Sequence, residues 1–321
     1  MPAMIRKTMK KSFIMPSAHQ RPHNPARKTV TRRKFLAGGS AGLLLTACSN
    51  SGTEDKMNDT KDPADFSFGL VTDLHYAEKD TWNSRVYRDS DDKLRECIAV
   101  FNSLKPSFVV ELGDIVDKAD IETELGYLET INSIFREFNG ERHYIIGNHD
   151  VATFSKSEFL TACGAEKSYY SFDRNGCHFI ALDANYNRDG SDYNAGNFDW
   201  EETYVPVPQL EWLATDLEEA RDTRVIVFIH QNLHDETDPH GVKNAPEVRH
   251  ILEEAGTVMT VFQGHMHTGG YAEINGIHYV TLRAGVEGSD LENNAYAMVY
   301  VHRSGLIRME GYKRQKSYEL D

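Results

Sequence analysis

The sequence predicts an α/β domain over residues 66–321, built as a two-layered sheet core wrapped by helices. Three observations carry this reading. Short apolar runs of strand length recur along the chain, amphipathic stretches of helical period lie between them, and turn dipeptides separate paired apolar runs near the end.

Taken in order, the strands expected are Phe66–Thr72, Phe108–Leu112, Tyr144–Ile146, His178–Leu182, Arg224–Ile229 and Val258–Phe262. They run from three to seven residues, short enough for buried strands. Asp91–Leu104 sets Leu94, Ile98, Phe101 and Leu104 near helical spacing, and Thr123–Phe138 does so with Tyr127, Leu128, Ile131, Ile134 and Phe135. Pro208–Ala220 begins with proline in a first helical turn, where the missing N–H costs nothing. Beyond residue 270 the pattern changes to hairpins. Tyr271–Ile274 and Ile277–Leu282 flank Asn275-Gly276, a type I′ signal, and Ala295–His302 and Leu306–Tyr312 flank Arg303-Ser304-Gly305.

The front of the chain reads as an address. Residues 1–47 hold 10 Lys and Arg and no Asp or Glu. Arg32-Arg33 precedes an apolar stretch from Phe35 to Ala47, too short to span a bilayer. The paired arginines resemble a twin-arginine export signal, and Leu45-Thr46-Ala47-Cys48 resembles a lipoprotein box in which Cys48 carries the lipid anchor. Residues 48–65 are polar and read as a flexible tether. The expectation is an exported protein, periplasmic or at the cell surface, held to a membrane through lipid. Cys97, Cys163 and Cys177 remain, enough for one disulfide at most, and Cys97 falls on a helix as a core residue.

Past residue 47, 25 of the 35 basic residues face all 49 acidic ones, a net charge of −24. Such a body is a poor partner for a nucleic-acid polymer. It is compatible with a small phosphate substrate where bound cations reverse the local sign.

Polar residues gather where the strands end, the usual ligand edge of an α/β sheet. Thr72-Asp73-Leu74-His75, Gly113-Asp114, Gly147-Asn148-His149-Asp150, His230, and Gly264-His265-Met266-His267 each follow an apolar run. Singly, each has a structural reading: Asp114 as a turn cap, Asn148 as a left-handed turn residue, His230 as a satisfied core histidine. Together, Asp73, His75, Asp114, Asn148, His230, His265 and His267 supply carboxylate, amide and imidazole donors. That set suits two divalent ions such as Mn, Fe or Zn, with Asp114 placed to bridge them. Two such ions clamp an in-line displacement at phosphorus, with a bridging water deprotonated to hydroxide as nucleophile.

In this order, these blocks resemble the calcineurin-like metallophosphoesterases. The resemblance implies a four-layered α-β-β-α sandwich. It implies one metal on Asp73, His75 and His267, another on Asn148, His230 and His265, and Asp114 between them. It also implies a catalytic His149 that touches the phosphoryl or leaving-group oxygen and is held by Asp150. Tyr87-Arg88-Asp89-Ser90, Gly264–Tyr271, Gly276–Leu282 and Gly285-Val286-Glu287 further resemble the manganese-dependent ADP-ribose/CDP-alcohol diphosphatase branch.

Function is therefore expected to be hydrolysis of a phosphodiester or pyrophosphate bond in a nucleotide-like small molecule. The alternatives are a phosphomonoesterase of alkaline-phosphatase type and a metal-binding lipoprotein without catalysis. Tyr76 and Arg88, with Trp82, Arg85 and Tyr87, lie in the loop after the first strand and have two readings: substrate contacts, with rings to stack a base and arginines to pair a phosphate, or a solvated loop that packs its rings on the body. Asn185–Tyr204 is long and rich in Asn, Asp, Gly and Tyr, a loop of the kind that is either a functional lid or simply disordered.

Overall fold

The computed structural model describes residues 64–321 except Ala195 and Phe198, so the expected export signal, Cys48 and nearly all of the tether lie outside the described residues. Twelve strands and five α-helices follow residue 65 among the described residues. The strands form two six-stranded sheets. One contains β1 (Phe66–Val71), β2 (Phe108–Glu111), β3 (Glu141–Tyr144), β10 (Ala295–Val301), β11 (Ile307–Lys313) and β12 (Tyr318–Leu320), in the order β12-β11-β10-β1-β2-β3. The other contains β4 (Tyr170–Arg174), β5 (Cys177–Ala181), β6 (Arg224–Phe228), β7 (Val258–Gln263), β8 (Thr268–Ile274) and β9 (Ile277–Arg283), in the order β4-β5-β6-β7-β9-β8.

In each sheet, parallel strands occupy one stretch and antiparallel strands extend it. β1, β2 and β3 run parallel, as do β5, β6, β7 and β9. The central ones, β1, β2, β5 and β6, are covered on both faces, which explains their largely apolar sequences. The inner faces meet in a shared core: Phe66, Phe68, Leu70, Phe108 and Val299 of the first sheet against Phe179, Phe228, Phe262 and Val280 of the second. Phe68 stands at its middle. Its ring stacks on Phe108 at 5.1 Å and meets Phe179, Phe228 and Phe262 edge-on at 5.7, 5.7 and 5.9 Å.

Helices close the outer faces. α1 (Ser90–Leu104) and α2 (Ile121–Phe135) bury Leu94, Ile98, Phe101, Leu128, Ile131 and Phe135 on the first sheet. α4 (Val207–Glu219) and α5 (Ala245–Ala255) bury Leu213, Leu217, Val248 and Leu252 on the second. The order is therefore α-β-β-α, the four layers expected. Local chemistry sets the helix ends. Asp120 caps α2 by accepting from the Thr123 amide, and α1 stops at a left-handed Lys105 just before Pro106, which cannot continue a helix. The short α3 (Lys156–Cys163) starts with a capping box of Ser155 and Glu158. Asn275 and Gly276 both take positive φ, 51° and 81°, as the type I′ turn requires.

Several elements differ from the sequence expectation. The third strand pairs through Glu141–Tyr144 rather than Tyr144–Ile146. It is the sheet edge, so its ladder needs no apolar run, and buried Ile145 and Ile146 follow the ladder rather than form it. α3, α5, β4 and β12 carry no sequence expectation: three are short or edge elements of mixed polarity, and α5 begins Ala245-Pro246 after a loop. Cys97, Cys163 and Cys177 are buried and unpaired. Among the described residues no helix is long and apolar enough to cross a membrane. Phe68→Ala should cost about 3–5 kcal/mol of stability, since both sheets close around that ring. Chemical denaturation would check it, and a loss under 1 kcal/mol would contradict the shared-core account.

Candidate metal centre

Five strand ends converge at one edge of the sandwich, and the backbone there is bent to aim side chains inward. Asp73, His75, Asp114 and His265 have φ of 52°, 43°, 58° and 67°, in the left-handed region that non-glycine residues seldom occupy. Each costs about 1–3 kcal/mol and persists where the surroundings over-determine it. Two glycines make room. A Cβ at Gly147 would lie 2.1 Å from the Asp114 amide nitrogen, and one at Gly264 would lie 2.3 Å from Thr72 Oγ1 and 2.8 Å from Asp73 Oδ2.

The donors fall into two triads. Asp73, His75 and His267 present ligand atoms within 4.8 Å of one another, as do Asp114, His230 and His265. Asp114 Oδ2 lies between them, 3.5 Å from His75 Nε2 and 3.2 Å from His230 Nε2, the position of a shared carboxylate. Asn148 is buried beside them in the Gly147–Asp150 turn.

Protein groups anchor one atom of a ligand and leave its other atom for the cavity. Asp73 Oδ2 accepts from Thr72 Oγ1 and the His265 amide, leaving Oδ1 3.6 Å from His75 and 3.5 Å from His267. Asp114 Oδ1 accepts from the His149 amide. His230 Nδ1 donates to the Leu112 carbonyl at 2.8 Å, which fixes the tautomer with its lone pair on Nε2. His267 Nδ1 donates to Glu287 Oε1 at 2.6 Å with the same effect. The atoms left over, Asp73 Oδ1, Asn148 Oδ1, His230 Nε2 and His265 Nε2, are buried without a hydrogen-bond partner. Uncompensated buried donors are costly in a protein interior, and a pair of cations satisfies all of them.

The electrostatics agree. Burial would raise the Asp73 carboxyl, but hydrogen bonds from His267 and His75 hold it well below its ordinary range. Burial also opposes the low Asp114, and the His230 and His149 charges outweigh it. His75 and His230 are both pushed up to about 9: against burial, Asp117 and Asp73 act on the former and Asp114 on the latter. Burial drives His265 well down. Without cations the cluster balances its carboxylates with protons, which metal binding displaces.

His149 stands next to the first triad, its ring 4.6 Å from that of His75. The expectation that Asp150 holds it is corrected. Asp150 accepts from the backbone amides of Gly147, Asp114, Ile115 and Val116, tying two strand-end turns together, and burial and the Asp114 charge push it up to about 7. The residue holding His149 is Asp117, whose Oδ1 lies 2.6 Å from Nδ1, while Lys79 grips its other oxygen at 2.9 Å. A carboxylate three places after Asp114, at the end of an apolar pair, was the available sequence signal. Tyr76 and Arg88 are placed otherwise than expected. Tyr76 is buried in the α1–α2 core with its hydroxyl on Glu78. Arg88 pairs with Glu78 and Asp80, and neither residue makes a hydrogen bond or ion pair with the donor cluster. Trp200 of the long loop and His240 come closer, their rings 5.9 and 5.2 Å from that of His265.

The calcineurin-like phosphoesterase family matches residues 66–269, a span that begins with β1 and contains all seven donors and His149. The chain belongs to that family. It is accordingly a hydrolase of phosphate esters served by two metal ions. Among curated proteins it is similar to a manganese-dependent ADP-ribose/CDP-alcohol diphosphatase of Arabidopsis thaliana, 27% identical over 306 residues, with 80% of this chain and 97% of that protein covered. The Xenopus tropicalis protein of that name is 24% identical over 310 residues, covering 75% and 90%. Among solved structures, a dimetal phosphatase from Danio rerio superposes with a TM-score of 0.69 at 22% identity, covering 80% of this chain and 99% of that one. A purple acid phosphatase from yellow lupin does so at 0.52 and 14%, covering 79% and 52%.

Manganese should raise the melting temperature of the metal-free enzyme, with about 2.7 kcal/mol gained at a hundredfold excess over Kd. Asp114→Asn, which weakens both triads at once, should abolish most of that gain and cut bound manganese in elemental analysis. An undiminished metal content would contradict the shared position of Asp114.

Proposed function

We propose that this phosphoesterase cleaves the phosphodiester or pyrophosphate bond of a nucleotide-like small molecule of the ADP-ribose or CDP-alcohol type. The observation that carries the reading is the pair of donor triads joined at Asp114 Oδ2, with a carboxylate-held histidine alongside. The substrate class draws support from the diphosphatase relatives, whose likeness extends over 75–80% of this chain.

Bound in these triads, two cations supply Lewis-acid charge that activates water and steadies the phosphoryl oxygens. The chain's own groups orient the rest. His230 and His267 hold fixed tautomers and Asp73 is anchored through one oxygen, so these ligands are set before the reaction begins. Asp117 accepts a hydrogen bond from Nδ1–H of His149 and steadies its protonated ring, which leaves Nε2–H for the phosphoryl or leaving-group oxygen. Water adds to phosphorus and releases one proton to solvent, the P–O bond breaks with its electron pair on the leaving oxygen, and protonated His149 gives its Nε2 proton to that oxygen, to be re-protonated from solvent afterwards.

The test is a substrate panel on the full-length protein with manganese: bis-p-nitrophenyl phosphate, p-nitrophenyl phosphate, ADP-ribose and CDP-choline. Diester and diphosphate turnover should exceed monoester turnover; the reverse order favours the alkaline-phosphatase alternative. His149→Ala should lower kcat/KM by roughly 10²–10⁴ with metal still bound. Asp117→Asn should lower it by about 10–100-fold, acting through His149. Unchanged turnover in His149→Ala would support a metal-binding protein without this chemistry.

We also propose export through Arg32-Arg33 and lipid anchoring at Cys48, supported by the order of basic, apolar and small residues before that cysteine. Cys48→Ser should move the protein from the membrane to the soluble fraction. Retention at the membrane would sink the anchor.

A further inference from the structure

Against the first triad lies a cavity of about 280 Å³ whose walls include His267, Glu287, Ser84, Thr268, Arg283 and Arg314. His267 belongs to both the cavity and the triad, so the two spaces are one side chain apart. Arg283 ends β9 opposite Thr268 of β8, and its backbone amide is pinned by Gln315 Oε1 at 2.8 Å. Arg314 follows β11, with its amide on the Asn294 carbonyl at 3.0 Å.

The two guanidinium groups are underused. Among the described residues neither forms a salt bridge, and the Arg314 head group reaches only the Asn293 amide oxygen, at 3.4 Å. The one carboxylate in these walls, Glu287, is committed to His267 at 2.6 Å. That hydrogen bond holds it down to about 2. In a body of net charge −24, where carboxylates abound, two unneutralised arginines in a cavity beside a metal triad mark an anion site. Arginine is suited to it, since its fork pairs two phosphate oxygens at once. Arg283, Glu287 and Arg314 all lie beyond residue 269, where the family match ends. They belong to this chain's C-terminal hairpins and not to the common hydrolytic core.

We propose that this cavity receives the phosphate that is not attacked, the second phosphate group of a diphosphate diester, on Arg283 and Arg314. The proposal rests on the phosphoesterase reading and adds the feature that selects diphosphates. When one phosphorus of such a substrate lies over the donor triads, the other is one bridging oxygen away, and its charge falls on the side of His267. A single-phosphorus ester has no group to place there. Glu287 serves both spaces: it fixes His267 and keeps the cavity from being lined by positive charge alone.

The experiment compares CDP-choline with bis-p-nitrophenyl phosphate on the full-length manganese enzyme and its Arg283→Gln, Arg314→Gln and Arg283→Lys variants. The ratio of kcat/KM for CDP-choline over the single-phosphorus ester should fall by about tenfold or more in each Gln variant, as expected for a lost charged hydrogen bond. The change should sit in KM, with manganese content unaltered. Arg283→Lys should recover part of the ratio. Methylenediphosphonate should inhibit the wild type more strongly than inorganic phosphate, and lose that advantage in the Gln variants. A ratio that stays constant, whether both rates hold or both fall together, overturns the subsite. So does a wild type that hydrolyses bis-p-nitrophenyl phosphate but neither cleaves CDP-choline nor binds methylenediphosphonate, and the phosphoesterase reading survives that outcome. Absence of turnover on every phosphate ester sinks both.

Discussion

Two carboxylates, Asp73 and Asp114, are buried at the ends of adjacent parallel strands on backbone that L-residues avoid. Most features of the site follow from that constraint. A buried carboxylate is tolerated only when its oxygens are engaged, and here each has one oxygen bound by local donors and the other facing imidazole nitrogens. Two of the histidines are in turn fixed from behind, His230 by the Leu112 carbonyl and His267 by the Glu287 carboxylate. The interior is left with more acceptors than donors, an imbalance that divalent cations resolve and that water or a rearranged side chain would resolve poorly.

The sandwich exists to hold those strand ends in register. The first triad draws Asp73 and His75 from the end of β1 in one sheet and His267 from the turn between β7 and β8 in the other. The second draws Asp114 from one sheet and His230 and His265 from the other. Neither sheet alone completes a triad. The aromatic packing around Phe68 therefore does more than bury apolar area: it sets the spacing between the two halves of each metal position. Asp150 performs the same service locally, its carboxylate joining the turns after β2 and β3 through four backbone amides.

The legible part of the site was the part where polarity breaks an apolar run. Asp73, Asp114, Asn148, His230 and His265 each stand at such a break, and the strands before them announce where they will sit. The fold class was legible for the same reason. Strand β4 was not, because an edge strand of mixed polarity leaves a weak alternation, and α5 was passed over although its Ala245, Val248 and Leu252 form a clear apolar face. Asp117 was missed since a lone carboxylate in a loop looks like any solvated acid, and its importance comes from a turn that folds it back under His75 and His149. Asp150 was misassigned because adjacency in sequence suggested a partner for His149, whereas successive residues of a 3-10 turn point in different directions. Tyr76 was misread because loop aromatics near a site are indistinguishable in sequence from those that pack inward, as this one does against Tyr127 at 5.9 Å.

The division of labour along the chain also bears on specificity. The seven metal-ligand candidates, His149 and Asp117 all lie within residues 66–269, the span matched by the family. What differs between members must then come from what borders the triads. Here those borders are Trp200 and His240 on the side of His265, and the β9 and β11 hairpins on the side of His267. The first border offers aromatic faces and the second offers guanidinium groups. An elongated molecule with a flat ring at one end and an extra phosphate toward the other matches both borders at once, while a compact phosphomonoester would engage neither. Glu287 links the arrangement to the chemistry: the carboxylate that fixes His267 lines the cavity holding the arginines, so the wall proposed for a second phosphate also orients a metal ligand. On that proposal, selectivity and metal geometry share one hydrogen bond, and a ligand in the cavity would bear on how well the metal pair is held.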